Sequence, residues 1–243
     1  MSGHSKWANI RVKKTAIDAR RGKIFTRHAR LIEIAARENG GDPTTNARLR
    51  TAVENARADS VPNTNIERAV KKGTGELKGE AMQEVMYEAF GPGGVAYLIE
   101  CLTDNRNRTI ANVKAALHRH DGRFVENGAV SWMFEQRGVI VIDMHGKSVE
   151  ELELLAIEAG ADDIRVHDGT MEIVTAKTKW GSVRDALKRA GCMIQEAELR
   201  FIPTQIVEVN DAAMAKRIVA CIEALETDDD VSAVHTNAEI AGE

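Results

Sequence analysis

Near Lys78 two properties of this 243-residue chain change together: the spacing of its apolar residues and the sign of its charge. Before that point apolar side chains recur every three or four residues. After it, short apolar runs alternate with helical patterns. Through Lys78 the chain carries seventeen basic and eight acidic side chains, a net of +9. The remaining 165 residues carry sixteen and twenty-nine, a net of −13. One end is built to meet a polyanion and the rest is not. The length allows two or three domains, each with its own core.

Residues 1 to about 14, MSGHSKWANIRVKK, have neither a helical nor a strand period and are expected to form an arm. A helix is predicted from Lys23, with Ile24, Phe25, Leu31, Ile32, Ala35 and Ala36 as its apolar face and Gly40-Gly41 as its stop. Asp42-Pro43 reads as a cap followed by proline at the first position of a second helix. Leu49, Ala52, Val53 and Ala56 then keep the helical spacing. A short third helix is predicted over 65–72, ending at Gly73. Together these make a small bundle, with 71–79 as its linker.

Beyond the linker, apolar runs over 85–90 and 95–102 flank Gly91-Pro92-Gly93-Gly94, a hairpin signal. A helix follows over about 107–120. A regular series comes next: a strand over 138–143, a capping box at Ser148–Glu151 opening a helix that Gly160 ends, strands over 164–166 and 171–174 around Asp168-Gly169, a helix over 180–190, and a strand over 195–202. That order, β-α-β-β-α-β, is ferredoxin-like. The segments on either side are incomplete: β-β-α before it, and β-α-β after it over 204–209, 211–225 and 231–236. Since a sheet needs several strands, the two pieces should complete one another. The predicted fold is therefore α+β with three domains: a basic three-helix bundle (1–78), then two ferredoxin-like α/β domains, one (135–203) inserted in the other (79–134 plus 204–240).

The candidate polyanion contacts are Lys6, Arg11, Lys13, Lys14, Arg20, Arg21 and Lys23, with Trp7 among them. Cations displace counterions from phosphates, and an indole can stack on a base or anchor the arm in a core. Lys23, Arg27, Arg30 and Arg37 share a stripe on the first long helix, and Lys71 and Lys72 end the third. A stripe of this kind is either a phosphate-binding face or a solvated one. A second candidate site is Thr103–Thr109, where Arg106 and Arg108 flank a helix start capped by Asp104 or Asn107. That is a place for a phosphate, or else a turn closed by an Asp–Arg pair.

Catalytic and metal signatures are poor. No P-loop, Gly-x-Ser-x-Gly or Cys-x-x-Cys is present. His118 and His120 stand at i and i+2, which face different sides of a helix. Asp228-Asp229-Asp230 reads as exposed loop charge. No catalytic residue, cofactor or metal is expected. Cys101, Cys192 and Cys221 are widely spaced and odd in number, as for buried free thiols in a reducing compartment. With no membrane-length apolar stretch and no signal-like apolar region, the expected location is the cytoplasm.

Several stretches together resemble the YebC/PmpR family: Gly3–Ile10 with Lys13-Lys14, Arg21–Thr26, Ala69–Gly75, Tyr87–Gly94 and Thr103–Thr109. The resemblance spans essentially the whole chain. It implies a helical N-terminal domain with two α/β domains, and a cytoplasmic, non-enzymatic regulator of gene expression. Members of that family are described as probable DNA-binding transcriptional regulators. Others act in translation on the ribosome, relieving stalls at proline-rich sequences. Expected partners are accordingly double-stranded DNA or ribosomal RNA, with the ribosome and a protein bound by the acidic domains as further candidates. The basic residues look like phosphate contacts, which position a protein without reading sequence.

Overall fold

The structure, a computed structural model, describes residues 17–144, 146–167 and 169–240, with side chains from Gly22 onward except His167. The expected arm lies outside the described residues. The chain forms two compact units, Met1–Met133 with Gln205–Glu243, and Phe134–Thr204.

The first unit opens with three helices, α1 (Ile17–Asn39), α2 (Ala47–Ala58) and α3 (Asn63–Gly73). Helix α1 begins six residues before the expected Lys23, because Ala19, Arg20 and Arg21 are good helix formers that carry it across Gly22. Ile32, Ala35 and Ala36 of α1 pack against Leu49, Val53 and Ala56 of α2 and Ile66 and Ala69 of α3. The small alanines let the helix axes approach closely. At the end of α3 the approach is closer still. A Cβ on Gly73 would lie 2.4 Å from the Glu33 carbonyl oxygen and 2.7 Å from the Ala36 Cβ.

The α1–α2 connection corrects the expected cap. Asn46, not Asp42, caps α2, its side-chain oxygen accepting from the Leu49 amide at 3.0 Å. Its amide group donates to the carbonyls of Ala35 and Gly40, both at 2.8 Å, so one buried side chain ends one helix and starts the next. Asp42 instead closes a local turn on the amide and hydroxyl of Thr44, both at 2.8 Å.

A hairpin follows, β1 (Gln83–Phe90) and β2 (Ala96–Thr103), joined through the 3-10 turn Pro92–Gly94. Gly91 is required there, since a Cβ would lie 2.4 Å from the Tyr97 ring. Helix α4 (Arg106–Arg119) leads to β3 (Arg123–Val125), a strand too short for periodicity to announce. After the second unit come β8 (Val207–Val209), α7 (Ala212–Glu226), β9 (Val231–Thr236) and β10 (Ala238–Ile240). The four-stranded sheet has order β3-β1-β2-β9 and is antiparallel throughout, so segments before and after the second unit share one sheet. Tyr97, Ile99, Val113, Leu117, Ile218, Ile222 and Leu225 build its core with α4 and α7.

Here the ferredoxin-like expectation for the flanking segments needs correction. The strand predicted over 204–209 shrinks to Val207–Val209 and pairs in parallel with β10, outside the main sheet. Asn237 directs this: its carbonyl accepts from Val207 and its side chain from Ala96, at 2.8 and 2.7 Å. The hairpin opening of the β-β-α segment forms as expected, and it is the ferredoxin-like order β-α-β-β-α-β that this part of the chain does not have.

The second unit contains β4 (Phe134–Asp143), α5 (Val149–Ala159), β5 (Asp163–His167), β6 (Thr170–Ala176), α6 (Trp180–Arg189) and β7 (Met193–Pro203). Its antiparallel order, β5-β6-β4-β7, is the ferredoxin-like one. The capping box forms between Ser148 and Glu151, and Gly160 ends α5 in the left-handed region. Ile140, Ile142, Met171 and Ile173 of the sheet bury against Leu152, Ala156, Val183 and Leu187 of the helices.

Gly73→Ala is expected to destabilise the chain by about 1–3 kcal/mol in urea unfolding, because the added methyl overpacks the α1–α3 contact. Gly79→Ala, with nothing within 4 Å of the added Cβ, should stay within about 0.5 kcal/mol of the parent.

Candidate nucleic-acid interface

The described cations divide into those the first unit uses internally and those it leaves exposed. The α1 stripe belongs mostly to the first group. Lys23 donates to the Glu226 carbonyl at the end of α7. Arg30, only 17% exposed, donates to the Leu102 and Asp229 carbonyls at 2.8 and 2.5 Å and pairs with Asp230 at 3.2 Å. Arg37 reaches the Met82 carbonyl at 2.8 Å and Glu33 at 3.2 Å. The stripe expected to grip phosphate thus fastens the helices to the sheet-bearing part of the same unit. Lys23 and Arg30 are removed from the set of available cations, and Arg27 is half-buried.

Asp230 is the centre of this seam, and sequence reasoning missed it. It was expected to be exposed loop charge, yet its side chain is 3% exposed. Its Oδ2 accepts from the Thr103 hydroxyl at 3.1 Å, the Thr109 hydroxyl at 2.8 Å and Arg108 Nη2 at 2.6 Å. Arg30 lies on its other oxygen. Burial pushes the carboxyl up. The hydrogen bonds from Arg108 and Thr109 and the charges of Arg108 and Arg30 outweigh that and hold it below the ordinary 3.8.

This arrangement also resolves the second candidate site. The cap of α4 is Asn105, whose side chain accepts from the Arg108 amide at 3.1 Å, rather than Asp104 or Asn107. Arg108 is held by Asp230 and by Asp104 at 2.8 Å. The anion that a helix N-terminus and an arginine would attract is supplied by the chain's own Asp230. Arg108 therefore has two carboxylate acceptors within the fold. The signal was present in the Thr–Asp–Asn–Arg–Asn–Arg–Thr run, but its partner lies 122 positions away.

The second group includes Arg57, Arg68, Lys71, Lys72, Lys78 and Arg106, all exposed. Among the described residues the side chains of Arg68, Lys71, Lys72 and Arg106 make no ion pair or hydrogen bond, while the backbone carbonyls of Lys71, Lys72 and Arg106 accept from Leu77 and Thr74, from Gly75, and from Tyr87. Arg68, Lys71 and Lys72 share α3. Arg20 and Arg21 lie in α1 with undescribed side chains, and Lys6, Trp7, Arg11, Lys13 and Lys14 lie outside the described residues. The three cysteines are free and buried. Burial pushes the Cys101 thiol up to about 12 and the Cys221 thiol to about 11, which suits packing and not nucleophilic chemistry. Among the described residues no group of His, Cys, Asp or Glu is placed to hold a metal ion, and no helix is long and apolar enough to cross a membrane.

A helical module with exposed cations, pinned by a buried carboxylate to an antiparallel sheet that also receives a ferredoxin-like insertion, defines a class of α+β chain. Comparison with known proteins gives that class its family. Residues 5–76 match the TACO1/YebC protein N-terminal domain and residues 82–238 match the TACO1/YebC second and third domain. The chain belongs to the TACO1/YebC family. It is 48% identical to a probable transcriptional regulatory protein of Pelotomaculum thermopropionicum, over 99% of both chains. It is 46% identical to one from Desulfotalea psychrophila, over 99% of this chain and 96% of that one. The crystal structure of a conserved hypothetical protein from Aquifex aeolicus superposes with a TM-score of 0.90 at 41% identity, covering 98% of each chain.

Replacing Asp230 tests the seam. Asp230→Asn should cost about 2–3 kcal/mol, less than the roughly 3–5 of stranding a fully buried charge, because Arg30 keeps two carbonyls and Arg108 keeps Asp104. The depressed carboxyl stabilises the fold above its unfolded value near 3.8 and ceases to do so as pH falls through its lower folded value. Urea midpoints measured from pH 6 to about 2.5 should therefore fall more steeply for the parent than for Asp230→Asn.

Proposed function

We propose that this chain is a non-enzymatic, nucleic-acid-binding regulator of gene expression that acts on double-stranded DNA in the cytoplasm. The observation that carries the reading is the division of cations: the α1 stripe is spent within the fold, while Arg68, Lys71 and Lys72 remain exposed on one helix. They add to the basic residues 6–23 at the N-terminal end. The name carried by its relatives, probable transcriptional regulatory protein, supports the same reading. On this view the chain has three functional parts: a gripping module (1–78), a discontinuous α/β domain (79–134 plus 204–240), and an inserted ferredoxin-like domain (135–203). The acidic parts stay away from the phosphates and are available to a protein partner. Contacts of lysine and arginine with phosphate are independent of sequence, so the grip positions the protein.

Lys13→Ala with Lys14→Ala should weaken binding to a promoter duplex and lower the slope of log K against log salt by about 2, with an unchanged circular dichroism spectrum. An unchanged slope would remove those lysines from the interface. Sedimentation with ribosomes at physiological salt, without duplex binding, would replace the DNA reading by the ribosomal one.

A further inference from the structure

Residues of α1 and α3, with Met82 and Asp104, line an open cleft of about 440 Å³. Its walls differ in chemistry. Helix α1 contributes Phe25 and Ala29, four residues apart on one face, and Met82 adds to the apolar side. Helix α3 contributes Arg68 and Lys72, also four apart, with Asn65 one turn before them. The two acids of the lining are already neutralised, Glu33 by Arg37 and Asp104 by Arg108. The charge left for a ligand is thus positive and confined to the α3 wall.

We infer that this cleft receives one unstacked nucleotide of a single-stranded segment, with its base against Phe25, Ala29 and Met82 and its phosphate on Arg68 and Lys72. A cleft lined by both apolar and cationic side chains matches the two halves of a nucleotide, and Asn65 can both donate to and accept from a base edge. A base within a duplex is stacked and cannot enter such a cleft, so the site reads unpaired strand. A strand rather than a free nucleotide is favoured by Lys71, which lies outside the cleft lining and adds an exposed cation on the neighbouring face of α3 for a flanking phosphate. This inference rests on the nucleic-acid reading above but changes its consequence. Backbone gripping by the arm treats all nucleic acid alike, whereas the cleft discriminates unpaired from paired strands.

The test uses the full chain with a uridine-rich 12-mer as RNA, its DNA counterpart, the matching duplexes and uridine monophosphate, read by fluorescence anisotropy and competition. Phe25→Leu retains apolar bulk for the helix core and removes the ring. It should weaken single-strand binding roughly tenfold while leaving duplex binding unchanged. Arg68→Glu should weaken the single strand at least as much. Independently of any variant, a 5-bromouridine-substituted 12-mer irradiated with the parent chain should cross-link to peptides containing Phe25 or Met82. Cross-links confined to other regions, equal effects of Phe25→Leu on single strand and duplex, or no effect on either would overturn the proposal. Uridine monophosphate binding as tightly as the 12-mer would overturn the strand assignment. Failure to bind any nucleic acid would instead remove the function proposed above.

Discussion

The carboxylate of Asp230 is the point on which the first unit depends. It binds the end of β2 through Thr103, the first turn of α4 through Arg108 and Thr109, and α1 through Arg30. Its own backbone carbonyl accepts from the Leu102 amide at 2.8 Å. Buried ion pairs contribute little net stability, because desolvation offsets much of the attraction. Their effect is on geometry: each partner has one position in which its bonds are met. Asp230 thereby sets where the helices sit relative to the hairpin, with Lys23 and Arg37 extending the seam to either side.

That seam changes the meaning of the charge split. A net of +9 through Lys78 describes a sequence, and surface potential depends on which charges reach solvent. Lys23, Arg30 and Arg37 cap carbonyls and pair with acids within the unit. Arg48 is likewise held by Glu38 and Glu84, at 2.6 and 2.5 Å. Among the described helices α3 leaves three exposed cations for an external polyanion, Arg68, Lys71 and Lys72.

Much of the fold was legible because its signals are local. The Ser148–Glu151 capping box, the Gly91–Gly94 turn and the β-α-β-β-α-β order each follow from residues within a few positions of one another. The bundle was legible from the three- and four-residue spacing of Leu49, Val53 and Ala56. The failures share a cause. Asp42-Pro43 has the composition of a cap, but Asn46 wins because it also satisfies the carbonyls that α1 leaves open. Strand β8 was overextended because Asn237, some thirty residues later, decides its pairing. Asp230 was read as solvated loop charge because its partners lie about 120 and 200 positions away. Local pattern identifies elements, while long-range polar contacts decide caps, edges and which charges are spent.

A basic stripe at helical spacing gives no indication, from sequence, of whether it faces phosphate or its own fold. The composition of the opposing surface separates the two. The α1 stripe meets carbonyls and Asp230, groups that belong to the end of β2, the turn before β9 and the end of α7. The α3 cations Arg68 and Lys72 share their cleft with Phe25 and Ala29, and its two acids, Glu33 and Asp104, are already paired with Arg37 and Arg108. A cation opposite a carbonyl is satisfied, while a cation opposite an aromatic ring across an open cleft retains its capacity for an anion. Subtracting from the basic residues those whose acceptors the fold supplies leaves the α3 cations as the proposed phosphate contacts and the cleft beside them as the proposed base site.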